Sequence, residues 1–381
     1  MLPGVFRNTR WPIGLDIGTE SIKMLQFQRV GDLLSVLASG QRRLPEAALE
    51  SGAERRRAVV AGIRELLSSG GFRGRRVVSA LSFRDVRIKN VRLPHLPGPE
   101  LAEAIRWEAD ERFGFDVRGG ELRWLVAGQV RQGPETRDEV IMFASPAECI
   151  EEHLAVLDEA GLSPEHIEAE PAALFRVFQH FLRRRADEEA VSVIADIGYS
   201  ATRITVARGH EIVFVKPIEI GGRNFTAAVA KHLDLRFEEA RDIRVRMMRD
   251  HDGSREESDA DPDAAAEARR ESVDWGIHDA VRAEAEQLAR EIALCLRYCS
   301  VTFRGLRSEH VTLTGGEAYD PTLMSLLSDQ LGVKCVVGRP MRGIDVSRME
   351  VDTNRRGTLA EWAVCAGLAL HDMGLEQAQG K

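Results

Sequence analysis

The chain has 381 residues, of which 52 are basic, 60 acidic and 44% apolar, giving a net charge of −8. It is long enough to bury two cores or several smaller ones, and its acidic balance argues against nucleic acid as the principal partner. No apolar run reaches the length of a membrane span, and Met1-Leu2-Pro3-Gly4-Val5-Phe6-Arg7 lacks the apolar stretch of a secretory leader, so the protein is expected in the cytoplasm.

Ile13, Leu15 and Ile17 alternate with Gly14, Asp16 and Gly18, and apolar character resumes at Ile22, Met24 and Phe27 beyond Thr19-Glu20-Ser21. A two-residue period interrupted by a short polar stretch predicts a hairpin, not a strand feeding a helix. A turn of Gly, Ser and Thr lets backbone N–H groups and hydroxyls approach phosphate oxygens with no Cβ in the way. Asp16, at the end of a buried strand, suits Mg²⁺ held through its water shell. Further on, Arg55-Arg56-Arg57 reads as the solvated face or end of a helix.

Strands are predicted over 77–81 and 86–91, after which Leu93-Pro94-His95-Leu96-Pro97-Gly98-Pro99 announces a helix with Leu101, Ala104, Ile105, Trp107 and Glu108 at helical spacing. Beyond Phe113-Gly114-Phe115 come strands over 122–130 and 139–144 with a turn at Gly133-Pro134-Glu135, a helix over 147–160 and a strand over 166–170. Residues 82–164 therefore read as a small α/β subdomain inserted in the first half of the chain. A helix over 171–183 follows Glu168 and Glu170, and the run Arg183-Arg184-Arg185 at its end reads as solvated.

Asp196-Ile197-Gly198 repeats the first motif, with Val191, Val193 and Ala195 before it and Ile204 and Val206 resuming the period after Tyr199-Ser200-Ala201. One such tripeptide is an ordinary strand end. Two in matching settings suggest a duplicated nucleotide-binding fold whose hairpins hold a phosphate chain between them. Past a helix over 237–247, the stretch from Arg249 to Asp263 is polar and acidic and reads as a mobile loop over about 249–272, without the 12-residue spacing of a calcium loop. Val281, Leu288, Ile292, Leu296 and Cys299 then mark a long helix. Val311-Thr312-Leu313-Thr314-Gly315-Gly316-Glu317 is a strand ending in a Gly pair, where an adenine ring can lie on bare backbone, and Leu323, Leu326, Leu327 and Leu331 form the next helix. The five cysteines are odd in number and lack Cys-x-x-Cys spacing, so neither a disulfide framework nor a zinc site is expected, and Cys295 and Cys299 read as packing residues. There is no Gly-x-x-x-x-Gly-Lys-Ser/Thr, and Gly14 to Gly18 does not form Gly-x-Gly-x-x-Gly opening a helix, which excludes the P-loop and dinucleotide-binding readings.

The order hairpin, hairpin, strand with Gly pair, helix resembles the superfamily of actin, heat-shock chaperones and sugar kinases. That resemblance implies an actin-like, ribonuclease H-like duplicated α/β fold. An insertion early in the first half is a feature of the division protein FtsA and the type IV pilus assembly protein PilM, and the chain is more similar to PilM. The residues that carry this likeness are Ile13-Gly14-Leu15-Asp16-Ile17-Gly18-Thr19-Glu20-Ser21-Ile22-Lys23, Arg106-Trp107-Glu108-Ala109, Ala160-Gly161-Leu162, Gly221-Gly222-Arg223-Asn224-Phe225-Thr226, Ala289-Arg290-Glu291-Ile292 and Ala366-Gly367-Leu368-Ala369-Leu370.

The resemblance implies an ATP-binding adaptor at the cytoplasmic face of the inner membrane. It would capture the cytoplasmic N-terminal tail of a PilN-like membrane protein for a type IV pilus or a related secretion platform, with motor and platform proteins as further partners, and would hydrolyse ATP slowly at most. Its divisions fall at 1–81, 82–164, 165–189 and 190–381, the last with an insertion over about 223–290. Carried over by position, Gly18, Thr19, Glu20, Ser21 and Lys23 form the first phosphate loop, Gly198, Tyr199 and Ser200 the second, and Asp16 and Asp196 hold Mg²⁺. Gly221, Gly222, Arg241, Arg244, Gly315, Gly316 and Glu317 would meet the nucleoside, and Glu168 and Glu170 are the candidates for positioning an attacking water.

The inserted helix over 101–112 would wall the tail groove, with Trp107 and Trp124 as anchor-pocket or core residues. Three positions depart from the family pattern: Glu20 and Tyr199 replace small loop residues, and Arg241 reverses an acidic position, whereas Arg244 keeps the charge of a Lys. They motivate the alternative of a degenerate, nucleotide-independent scaffold. Against an FtsA-like polymer-forming protein, 375–381 lacks an amphipathic helix with large apolar residues.

Overall fold

The alternating runs become two five-stranded sheets and one three-stranded sheet in the computed structural model, which describes residues 11–31, 33–49, 52–132, 134–179, 188–250, 264–303, 307–349 and 358–372. Met1 to Arg7, Arg183-Arg184-Arg185, residues 251–263 of the acidic stretch and 375–381 lie outside the described residues. The chain opens with β1 (Ile13–Ile17), β2 (Ser21–Val30), β3 (Leu33–Arg43), α1 (Ala53–Ser69) and β4 (Arg76–Leu81). It continues through β5 (Arg87–Pro94), α2 (Gly98–Phe113), β6 (Glu121–Gln132), β7 (Glu135–Ser145), α3 (Ala147–Glu159), β8 (Ser163–Ala169) and α4 (Glu170–Gln179). Then come β9 (Val191–Ile197), β10 (Thr202–Arg208), β11 (Glu211–Ile218), α5 (Gly222–His232), α6 (Phe237–Asp250) and α7 (Ala264–Thr302). The last elements are β12 (His310–Thr314), α8 (Pro321–Leu331), β13 (Lys334–Val337) and α9 (Ala363–Ala369).

The first large sheet has the order β3-β2-β1-β4-β8 and the second β11-β10-β9-β12-β13. In each, the motif strand pairs antiparallel with the strand that follows it and parallel with a strand arriving by a crossover. Both predicted hairpins are present, as the interrupted two-residue period required. α6 runs to Asp250 and α7 begins at Ala264, so the loop expected over about 249–272 overlaps helix at both ends. The strand before Glu170 ends at Ala169, and Glu170 itself opens α4.

Between the two large sheets lie α4 and α9. Their core joins Val78 and Ala80 of the first sheet to Ile194 and Ala207 of the second through Ala173, Leu174, Phe175, Ala366 and Leu368. Small residues allow that approach: a Cβ on Gly367 would fall 1.8 Å from the Ala173 carbonyl oxygen, and one on Gly14 would fall 2.5 Å from the Ala369 nitrogen. Each fully buried Leu or Ile side chain contributes roughly 1.5–3 kcal/mol, so this seam holds the two sheets as one body. Cys295 and Cys299 are buried in the second core, and burial pushes their thiols up to about 11 and about 12, as packing residues require.

The three-stranded antiparallel sheet has the order β5-β7-β6. One face carries α2, whose Leu101, Ile105 and Ala109 pack on Val91, Leu93, Val140 and Met142. The other face turns toward the second large sheet: Ala127 and Ile141 join its core, and Asn90 Nδ2 donates to the Val215 carbonyl of β11 at 2.8 Å. Tyr298 on α7 donates to Glu139 at 2.7 Å, and Arg92 donates to Thr302 at 2.8 Å. Trp124 is half-buried beneath α2, but Trp107 is 71% exposed on that helix and belongs to no core.

Candidate functional site

The two hairpin turns are built alike. Gly18 N–H donates to the Ser21 carbonyl at 3.0 Å, and Gly198 N–H donates to the Ala201 carbonyl at 3.0 Å. The turns face each other closely enough for the Thr19 and Ser200 hydroxyls to hydrogen-bond at 2.7 Å. Arg55 holds the first turn from behind, donating to the carbonyls of Gly18 and Thr19 at 2.9 Å each and to that of Ala48 at 3.1 Å. It is therefore a brace for the loop and not the solvated side chain expected from its Arg cluster.

The second turn is braced by backbone. Gly222 N–H donates to the Gly198 carbonyl at 3.0 Å and Arg223 N–H to the Tyr199 carbonyl at 2.8 Å. A Cβ on Gly221 would lie 2.5 Å from the Gly198 carbonyl oxygen. Gly221 and Gly222 thus support the loop, and Gly222 lies against Glu317 of the cleft lining. Of the Gly pair after β12, Gly315 has φ +87° and would place a Cβ 2.3 Å from the Ile197 carbonyl oxygen, whereas Gly316 has open space around it. Gly315 is required by the approach of two strand ends, and Gly316 leaves bare backbone on the cleft wall.

These elements enclose a cleft of ≈ 320 Å³. It is lined by Asp16, Gly18, Thr19, Glu20, Ser21 and Lys23 from the first hairpin, and by Asp196, Gly198, Tyr199 and Ser200 from the second. Arg241, Arg244, Gly315, Gly316, Glu317 and Glu170 complete the set of expected residues that it brings together. Glu168 is elsewhere: Arg176 grips it from α4 at 2.7 and 2.9 Å, and His371 contacts it at 3.1 Å. Arg244 lies on the lining but is buried, donating to Glu317 at 2.7 Å, Asp320 at 2.6 Å and Thr226 at 3.1 Å. Its charge is committed to joining α6 with the starts of α5 and α8.

The three departures from the family pattern meet at the cleft mouth. Glu20 forms an ion pair with Arg241, and the Arg241 guanidinium lies over the Tyr199 ring at 5.7 Å. Arg43 approaches Glu20 at 3.3 Å and Glu238 at 3.8 Å, and Arg241 approaches Glu238 at 3.9 Å. The carboxylate that would repel a phosphate is neutralised by the reversed charge across the mouth, and the aromatic ring supports the cation. Read singly, each replacement argued against a nucleotide; together they compensate.

Asp16, Glu170 and Asp196 converge on the cleft floor, and each strand-end Asp has a cation opposite it in the ladder, Lys23 beside Asp16 and Arg203 beside Asp196. Arg203 Nη1 donates to Asp196 Oδ2 at 2.8 Å and Nη2 to Glu170 Oε1 at 3.2 Å, with a second close ion contact through Nε. Thr314 donates to the other Asp196 oxygen at 3.1 Å. Burial pushes Glu170 up to about 7, with Arg203 pulling the other way and Asp16 and Asp196 adding to the rise. Asp16 is likewise raised by burial, against the pull of Lys23 and Arg203.

This floor does not fit a magnesium ion. Mg²⁺ needs carboxylate oxygens open to it and room for several waters, whereas both Asp196 oxygens are engaged and a guanidinium occupies the space beside them. The Mg²⁺ role expected of Asp196 conflicts with that arrangement, whereas Asp16 faces Lys23 at 3.9 Å and lies on the cleft lining. Arg203 was missed in the sequence, although it stands seven residues after Asp196 just as Lys23 stands seven after Asp16.

Comparison with known proteins gives consistent likenesses. Residues 14–252 match the family model of type IV pilus assembly protein PilM, and residues 193–357 match that of cell division protein FtsA. Among solved structures, the chain is similar to one described as the PilM-PilN type IV pilus biogenesis complex, at 27% identity over 94% of this chain and 98% of that one, with a TM-score of 0.73. It is similar in fold to the ethanolamine utilization protein EutJ from Carboxydothermus hydrogenoformans, at 15% identity over 97% of this chain and 90% of that one, TM-score 0.52. A diol dehydratase-reactivating factor in nucleotide-free form matches at 10% identity over 96% and 100% of the two chains, TM-score 0.51.

Proposed function

We infer function from this premise: the chain belongs to the PilM family of type IV pilus assembly proteins and has an actin-like α/β fold. We propose that it is a cytoplasmic adaptor of a type IV pilus or type II-like secretion platform, peripheral at the inner membrane through the N-terminal tail of a PilN-like protein. The observation that carries this is the likeness, over nearly the whole of both chains, to a structure described as a PilM-PilN complex. Among the described residues no helix is long and apolar enough to cross a membrane, which agrees with attachment through a partner.

In this reading the two like sheets are a duplicated fold, and 82–164 is a subdomain inserted in its first half, with α2 walling the tail groove. An extended tail gains most from backbone pairing and from a few apolar anchors, and Trp107, 71% exposed on α2, is placed to meet one. The cleft between the hairpins takes ATP: its turns present backbone N–H groups and hydroxyls to phosphates, Gly316 offers bare backbone to the base, and its volume falls within the range of small-molecule sites. Glu170, buried with a raised pKa on the floor, is the residue best placed to act on a water, and any turnover is slow.

A second reading, a scaffold that needs no nucleotide, is favoured by the Thr19 to Ser200 hydrogen bond, which ties the two turns directly to each other. Calorimetric titration decides between them. Heat from both ATP and the N-terminal peptide of a PilN-like protein is the expected result. Heat from the peptide alone would leave the scaffold, and no heat from the peptide would remove the adaptor.

A further inference from the structure

We propose that Arg203 is a built-in cation holding the place of a divalent metal ion, so that the cleft accepts a nucleoside polyphosphate without Mg²⁺. The inference rests on the nucleotide reading of the cleft, but its observations are independent of it. Arg203 is fixed on three sides: Asp196 at 2.8 Å, Glu170 at 3.2 Å, and the Phe83 ring 5.5 Å from the guanidinium carbon. The side chain is 13% exposed, yet it lies on the cleft lining. A guanidinium stays protonated at any pH a protein survives; burial here pulls its pKa down, but Glu170, Asp196 and Asp16 outweigh that and hold it above the ordinary value. The positive charge is therefore permanent.

A dication entering beside it would lose the engaged Asp196 oxygens as ligands and would be repelled by the fixed charge. Mg²⁺ at such a site neutralises phosphate charge and bridges it to strand-end carboxylates; here Arg203 and Lys23, at matching ladder positions, already neutralise Asp196 and Asp16.

Two measurements on the full chain test this. The first follows the electron paramagnetic resonance signal of free Mn²⁺ as protein is added without nucleotide. Wild type is expected to leave the signal unchanged, and Arg203→Ala to remove about one equivalent as the carboxylates become available. If that variant fails to fold, the pair Arg203→Ala with Glu170→Gln serves instead, since it removes the guanidinium together with one of its two carboxylate partners and keeps Asp16 and Asp196. The second measures ATP affinity by calorimetry in EDTA and in MgCl₂. Wild-type affinity is expected to agree within about twofold, and the variant to require the metal by tenfold or more. Mn²⁺ bound by wild type, or wild-type ATP binding lost in EDTA, overturns the proposal. ATP heat absent in all conditions sinks the nucleotide reading alone, because the Mn²⁺ arm still decides whether Arg203 holds the cation position.

Discussion

Glu20 alone would oppose an anion at the mouth of the cleft, and Arg241 beside it cancels that charge. The pair is 26% and 10% exposed, so its coupling should exceed that of a surface ion pair, about 1 kcal/mol or more. A double-mutant cycle with Glu20→Gln and Arg241→Gln, read by urea unfolding, should recover that coupling; additive singles would show that the two act independently. The same logic reaches binding. Arg241→Ala leaves Glu20 facing the phosphates and should weaken ATP by roughly tenfold, about 1.4 kcal/mol, while adding Glu20→Ser should restore most of the loss. If the second change restores nothing, Arg241 acts on the nucleotide directly and not by silencing Glu20.

The helix pair α4 and α9 depends on one contact that admits no side chain. Gly367→Ala would drive a Cβ to 1.8 Å from the Ala173 carbonyl oxygen, and prying the helices apart should cost about 3 kcal/mol. Gly316→Ala, with nothing within 4 Å, should leave stability unchanged within about 0.5 kcal/mol and affect nucleotide affinity only. Thermal and urea unfolding of the two variants, beside ATP titration, check both halves. The difference also marks what is legible in a sequence. The hairpins around Asp16 and Asp196 could be read because their period and turn residues are local. Gly367 could not be read as a crossing point, because its reason is Ala173, far away in the chain. Arg55 and Arg203 failed for the same cause: a charged side chain looks solvated or incidental until the carbonyls or carboxylates that hold it arrive from another element. Arg203 alone had a local signal, its ladder position matching that of Lys23.

At the scale of the molecule, two titrating groups, buried Glu170 and half-buried His153, give stability opposite dependences on pH. His153 of α3, hydrogen-bonded to Ser79 of β4 at 2.8 Å, is pushed down to about 4 by burial. A depressed histidine contributes stability that is present above its unfolded pKa, near 6.5, and is lost as pH falls through about 4; the shift corresponds to about 3 kcal/mol. Glu170, raised from 4.5 to about 7, contributes in the opposite sense: its stabilisation is present below 4.5 and is lost as pH rises through about 7. Between pH 4.5 and 6.5 the unfolded chain binds the extra proton at His153 and the folded chain binds it at Glu170, so the two slopes cancel. Wild type should therefore show a nearly flat contribution from these groups across that interval. His153→Gln should uncover stability that declines toward neutral pH, and Glu170→Gln should uncover stability that declines toward acid. Urea midpoints across the interval measure both slopes, and parallel profiles for wild type and the two variants would show that neither group carries a shifted proton in the folded state.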